Sequence, residues 1–136
     1  MSIYIHKNKY IIANSSDKQK YAGVTMKAAL LKIYLSEDDT YQGKSTYKAI
    51  LDLLMRSDIA GATAQHCIEG YGIHNQMHTA SILRLGTSLP VIVQAVDREE
   101  KIKDIIPSLK EMIPINLITI QEVEIVSGDN FEYIPE

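Results

Sequence analysis

The chain has 136 residues, 46% of them hydrophobic, and a formal net charge of −3. That content suits one domain with a real core, excludes a disordered chain, and leaves no basic field that would make nucleic acid a default partner. A single cysteine, Cys67, excludes an intramolecular disulfide framework and fits a reducing cytosol, and no apolar run approaches the ~20 residues a membrane span needs.

Residues 1–25 form a segment of their own, whose order the sequence leaves open. Its apolar pieces, Ile3 to Ile5 and Tyr10 to Ala13, are interrupted by Lys7 and Lys9, so no signal-peptide core is expected. A domain is expected over 26–126, followed by a tail over 127–136. Ala28 to Ser36 predicts a strand with Leu31, Ile33 and Leu35 on one face and Leu30 and Tyr34 on the other. A polar loop, Glu37 to Thr40, follows. Lys44 to Ser57 predicts a helix with Tyr47, Ile50, Leu51 and Leu54 on one stripe, and Gly61 suits the reversal after it.

Ala62 to Ile68 and Val91 to Val96 predict two further strands. Asp97 then reads as the cap of a second helix, with Glu100 three residues on. Its stripe is Ile102, Ile105, Ile106, Leu109, Met112 and Ile113. Pro107 should kink or split that helix and Pro114 should end it. Leu117 to Val126 predicts the last strand. The order is the α+β, ferredoxin-like βαββαβ arrangement: a four-stranded antiparallel sheet with two helices on one face. Strands apolar on both faces need a second cover, which predicts a homotrimer with its sheets turned inward.

Five segments together resemble a known family: Tyr41-Gln42-Gly43-Lys44, Gly61-Ala62-Thr63, Gly70-Tyr71-Gly72, Met77-His78-Thr79-Ala80, and Leu89-Pro90-Val91 followed by Val96-Asp97. They look like the PII-like proteins catalogued as a domain of unknown function, over about Lys27 to Val126. The resemblance implies a compact homotrimer with ligand clefts between subunits. PII signalling proteins bind adenine nucleotides there and touch a target through a long loop after the second strand. In this chain that loop is Tyr71 to Leu89. The phosphate-cradling loop of PII proteins corresponds here to Met112-Ile113-Pro114-Ile115-Asn116-Leu117, which has no glycine and no basic residue.

Several constellations bear on chemistry. Gly43-Lys44-Ser45-Thr46 at a helix start resembles the end of a P-loop, but Asp38 stands where the pattern needs glycine. The bland alternatives are a modest anion site at the helix N-terminus and a glycine turn capped by Ser45 or Thr46. His74 and His78, four apart, could with Cys67 ligate zinc or copper, as in a CutA-like trimer, though no strong metal motif frames them. No nucleophile has a framed base and no paired carboxylates stand out, so neither an enzyme nor a cofactor is expected.

The expected ligand site lies at a subunit boundary near Gly70, Tyr71, Gly72, His74 and His78, with Lys44 and Arg84 as anion partners. The expected function is a cytoplasmic PII-like regulator. It would bind a small anionic metabolite such as an adenine nucleotide and signal through the 71–89 loop to a transporter or enzyme. The rivals are the metal-binding trimer and a ligand-free structural partner of a transporter.

Overall fold

The computed structural model describes residues 2–6, 9–13, 26–72 and 88–128. The chain divides into two compact units, one of residues 28–122, the other of residues 1–27 with 123–136. In the latter, β1 (Ser2–His6) and β2 (Lys9–Ala13) pair antiparallel from Ser2↔Ala13 to His6↔Lys9. The apolar pieces of the N-terminal segment are thus the two arms of a hairpin, where the sequence reading assigned no strand.

The larger unit follows the expected order. The strands β3 (Met26–Ser36), β6 (Ala62–His66), β7 (Pro90–Arg98) and β8 (Ile118–Ile125) are arranged β6-β7-β3-β8 in one antiparallel sheet. β3 and β7 pair from Ala28↔Arg98 to Ser36↔Pro90, and β6 pairs with β7 from Ala62↔Ala95 to His66↔Val91. Strand alternation puts Leu31, Ile33 and Leu35 on one face with Val91, Val93 and Ala95, all buried. Helices α1 (Thr46–Arg56) and α2 (Glu99–Met112) cover that face, adding buried Ile50, Leu54, Ile102, Ile105 and Leu109. Each large side chain so buried contributes about 1.5–3 kcal/mol. The other face carries the cross-strand pairs Leu30↔Val96, Lys32↔Gln94 and Tyr34↔Ile92, all half-buried. It is apolar at both ends and polar between them.

Four local expectations are corrected. Before α1, the chain makes a second hairpin, β4 (Thr40–Tyr41) and β5 (Lys44–Ser45), so Lys44 lies in a strand and not at a helix start. Gln42 at φ 49 and Gly43 at φ 80 give its two-residue turn the hand of type I′. Ser45 occupies the N-cap without a side-chain cap bond, and the Thr46 amide is taken by the Asp39 carbonyl at 2.8 Å. The first amide of the helix is therefore held by backbone and not by a Ser45 or Thr46 side chain.

The reversal after α1 does not use Gly61. Asp58, at φ 63, is the left-handed residue. The Ile59 amide donates to the Leu54 carbonyl at 3.1 Å and the Asp58 amide to Met55 at 3.1 Å, the paired bonds of a Schellman end. Buried Ile59 and Leu54 are the apolar contact that such an end needs.

Asp97 does not cap α2. β7 runs through Arg98, which holds the N-cap position, and the helix starts at Glu99. Asp97 Oδ1 accepts instead from the Arg98 amide at 2.7 Å, and Oδ2 from the Ala60 amide at 2.9 Å. Finally, α2 is one helix with Pro107 inside it, not split there. Pro107 is exposed while Ile105 and Leu109 on either side are buried. The core therefore holds both halves of the helix, and the carbonyl that proline leaves unpaired lies on the wet side.

Candidate functional site

β6 and β7 are hydrogen-bonded neighbours, a pairing a two-residue turn could serve. Residues 67–89 connect them instead. Both ends of that connection are built into the fold. The Cys67 amide donates to the Pro90 carbonyl at 2.8 Å, and the Glu37 amide donates to the Leu89 carbonyl at 2.8 Å. The hydroxyls of Ser36 and Ser88 hydrogen-bond across the same junction. A Cβ on Gly70 would stand 2.9 Å from Cγ of Pro90, so only glycine seats there without displacing the ring. Gly72, at φ 97, uses the left-handed region. The two glycines flanking Tyr71 therefore serve two different ends, one close approach and one positive φ. Tyr71 itself is 92% exposed.

Beside this stem, His66 closes β6. Its ring meets Tyr47 edge-on at 5.7 Å, and its Nε2 lies 4.0 Å from a Glu37 carboxylate oxygen. Cys67 is half-buried with a free thiol. Of the expected site residues, Gly70, Tyr71 and Gly72 stand at the stem. His74, His78 and Arg84 lie outside the described residues. Among the described residues no group of three or more His, Cys, Asp or Glu is placed to hold a metal ion.

Lys44 is elsewhere. With Tyr41 and Gln42 it walls a cleft of about 500 Å³ between the β4–β5 hairpin and α1, closed by Met112 at the end of α2. Lys48, Asp52 and Arg56 supply the α1 side. No described residue of the stem lines this cleft. Sequence reasoning missed it because the apolar stripe alone was followed along α1. The signal was present in the charged residues at every fourth position, 44, 48, 52 and 56.

The family model DUF190, described as "Uncharacterized ACR, COG1993", matches residues 28–125. The chain belongs to the DUF190 family. The UPF0166 protein MJ1524 of Methanocaldococcus jannaschii is 42% identical over 108 residues, covering 79% of this chain and 99% of that protein. A UPF0166 protein of Aquifex aeolicus is 37% identical over 101 residues, covering 74% and 95%. The fold of this DUF190 chain is that of PII-like proteins. CPII of Thiomonas intermedia K12, solved with ADP and bicarbonate, superimposes with a TM-score of 0.56 at 16% identity, over 78% of this chain and 95% of CPII. A second CPII structure, with ADP, AMP and acetate, gives 0.54 at 16% identity, over 74% and 90%. Among the described residues no helix is long and apolar enough to cross a membrane.

Proposed function

We propose that this DUF190 protein is a PII-like regulator, a binding protein and not an enzyme, that acts in the cytosol. It binds a small anionic metabolite, an adenine nucleotide first among the candidates, at boundaries between its own copies. The observation that carries the reading is the connection over 67–89. Strands that pair directly do not need it, yet both its ends are fastened by hydrogen bonds and by the Gly70–Pro90 contact. Long connections fastened to a rigid sheet are where binding residues concentrate. The fold shared with CPII, whose structures hold ADP with bicarbonate or acetate, supports the choice of ligand. The apolar pairs Leu30↔Val96 and Tyr34↔Ile92 on the helix-free face support a homotrimer with sheets turned inward.

In this reading Gly70, Tyr71, Gly72, His74, His78 and Arg84 form the ligand site, and the loop beyond Tyr71 meets a transporter or an enzyme. Calorimetry with ATP, ADP, AMP and bicarbonate tests it. Arg84→Ala and His78→Ala should each weaken nucleotide binding by about 1.5–3 kcal/mol, the worth of a hydrogen bond to a charged group. Lys110→Gln, on an exposed position of α2, is the control and should bind like the parent. Absence of nucleotide binding, or a monomer by sedimentation equilibrium at micromolar concentration, overturns it.

A further inference from the structure

The cleft under the β4–β5 hairpin has the size of a small-molecule site, since such pockets run roughly 300–1,000 Å³ and this one is about 500 Å³. Its charge is lopsided. Lys44, Lys48 and Arg56 face one carboxylate, Asp52. Arg56 takes that carboxylate at 2.9 Å. Among the described residues no acidic group pairs with either lysine. The Lys48 ammonium nitrogen lies 5.9 Å from the centre of the Tyr47 ring. Two ammonium groups with no acidic partner among the described residues therefore face the cleft, Lys44 from the hairpin and Lys48 from α1, on a chain whose net charge is −3. An anion entering the cleft would meet this excess of positive charge. The rest of the wall is of another kind. Tyr41, Leu53 and Met112 offer half-buried ring, aliphatic and thioether surface. A free inorganic ion would have no use for that surface, whereas an organic body would.

The hairpin is built to stand where it does. Gln42 accepts a positive φ that favours asparagine or glycine, and the resulting tight turn holds Tyr41 opposite Lys44. Along α1, Lys48, Asp52 and Arg56 stand one turn apart on a single ridge. A ligand lying along that ridge meets two cations first and the Asp52–Arg56 pair last.

We infer that this cleft is a second binding site, separate from the loop stem, for a small organic anion. The phosphate or carboxylate sits between Lys44 and Lys48. The planar or apolar body lies against Tyr41, Leu53 and Met112, and hydroxyl or amide groups meet the Asp52–Arg56 pair.

The test is amide NMR on the isotope-labelled full chain, titrated to millimolar levels with AMP, with citrate, and with inorganic pyrophosphate as the anion without a body. AMP or citrate should shift the amides of 41–56 and Met112 saturably and at lower concentration than pyrophosphate. In the K44Q/K48Q double variant the dissociation constant should rise about tenfold or more, as loss of a charge-assisted contact implies. Both lysines are exposed, so the variant keeps its fold, which circular dichroism checks. K110Q should leave the constant unchanged. The inference is overturned if no probe moves these amides, or if the double variant binds as the parent does. AMP shifts confined to Gly70, Tyr71, Gly72 and Ser88 would overturn it while supporting the regulator reading. Shifts confined to the hairpin and α1 would do the reverse.

Discussion

The carboxylate of Asp97, 2% exposed, accepts a hydrogen bond from the amide of Ala60 at 2.9 Å. This single bond ties the segment leading into β6 to the end of β7. The other Asp97 oxygen, Oδ1, holds the Arg98 amide, while Lys101 Nζ stands 3.6 Å from Oδ2, the oxygen that accepts from Ala60. Lys101 also donates to the Asp58 carbonyl at 2.6 Å, so the end of α1 and the start of α2 share one polar knot. Asp97→Ala strips the acceptor from these donors and should cost about 1.5–3 kcal/mol. Asp97→Asn, which keeps one acceptor oxygen, should cost less. Urea midpoints at constant slope measure both; equal midpoints for parent and Asp97→Ala would show the knot to be idle.

Gly70→Ala places a methyl group 2.9 Å from the Pro90 ring, which cannot swing aside as a long side chain would. Overpacking of this kind costs about 1–3 kcal/mol. Gly61→Ala serves as comparison, because a Cβ there meets nothing within 4 Å. Thermal unfolding of the two variants should separate them, with Gly70→Ala melting lower.

The β4–β5 turn carries a glutamine at φ 49. Left-handed backbone costs most residues roughly 1–2 kcal/mol, and asparagine less. Gln42→Asn creates the Asn-Gly pair that such turns prefer and should raise stability by about 0.5–1 kcal/mol. Gly43→Ala, at φ 80, should lower it by a similar amount. A Gln42→Asn protein no more stable than the parent would contradict the turn geometry.

Lys103 titrates above the ordinary lysine range. Its hydrogen bond to Glu99 is the main cause, followed by the Glu99 charge and then the more distant Glu122. The folded pKa is raised, so the associated stability is fully present below the unfolded lysine pKa. It is lost as pH rises through the folded value. Glu99→Gln should bring the Lys103 titration down toward the other lysines, followed by carbon-detected NMR between pH 9 and 12. No movement on that substitution would remove Glu99 as the cause.

The two central strands were legible because their apolar runs leave few alternatives: Ala28 to Ser36 and Val91 to Val96 both appear as strands, each somewhat longer than expected. The stripes of both helices also hold. The errors lie at the junctions, where one residue type serves several ends. Gly43 signals a turn equally well before a helix and within a hairpin, and only the pairing of Tyr41 with Lys44 decides. Gly61 was the expected reversal because glycine is the usual left-handed residue, but the paired bonds from Asp58 and Ile59 fall one turn earlier. Asp97 resembles a cap in sequence, yet its partner Ala60 is remote along the chain. At the candidate site, Gly70 and Gly72 were legible as glycines with a purpose. The link of Lys48, Asp52 and Arg56 along α1 was legible in their spacing of four, whereas Lys44 joins them through a hairpin folding over the helix, which spacing alone does not show.

The ladder between β6 and β7 runs from Ala62↔Ala95 to His66↔Val91 and needs no help from the covalent path between Gly72 and Ser88. The chain can therefore be severed there without undoing the sheet. The two fragments would remain interlocked, each contributing one helix to the shared core.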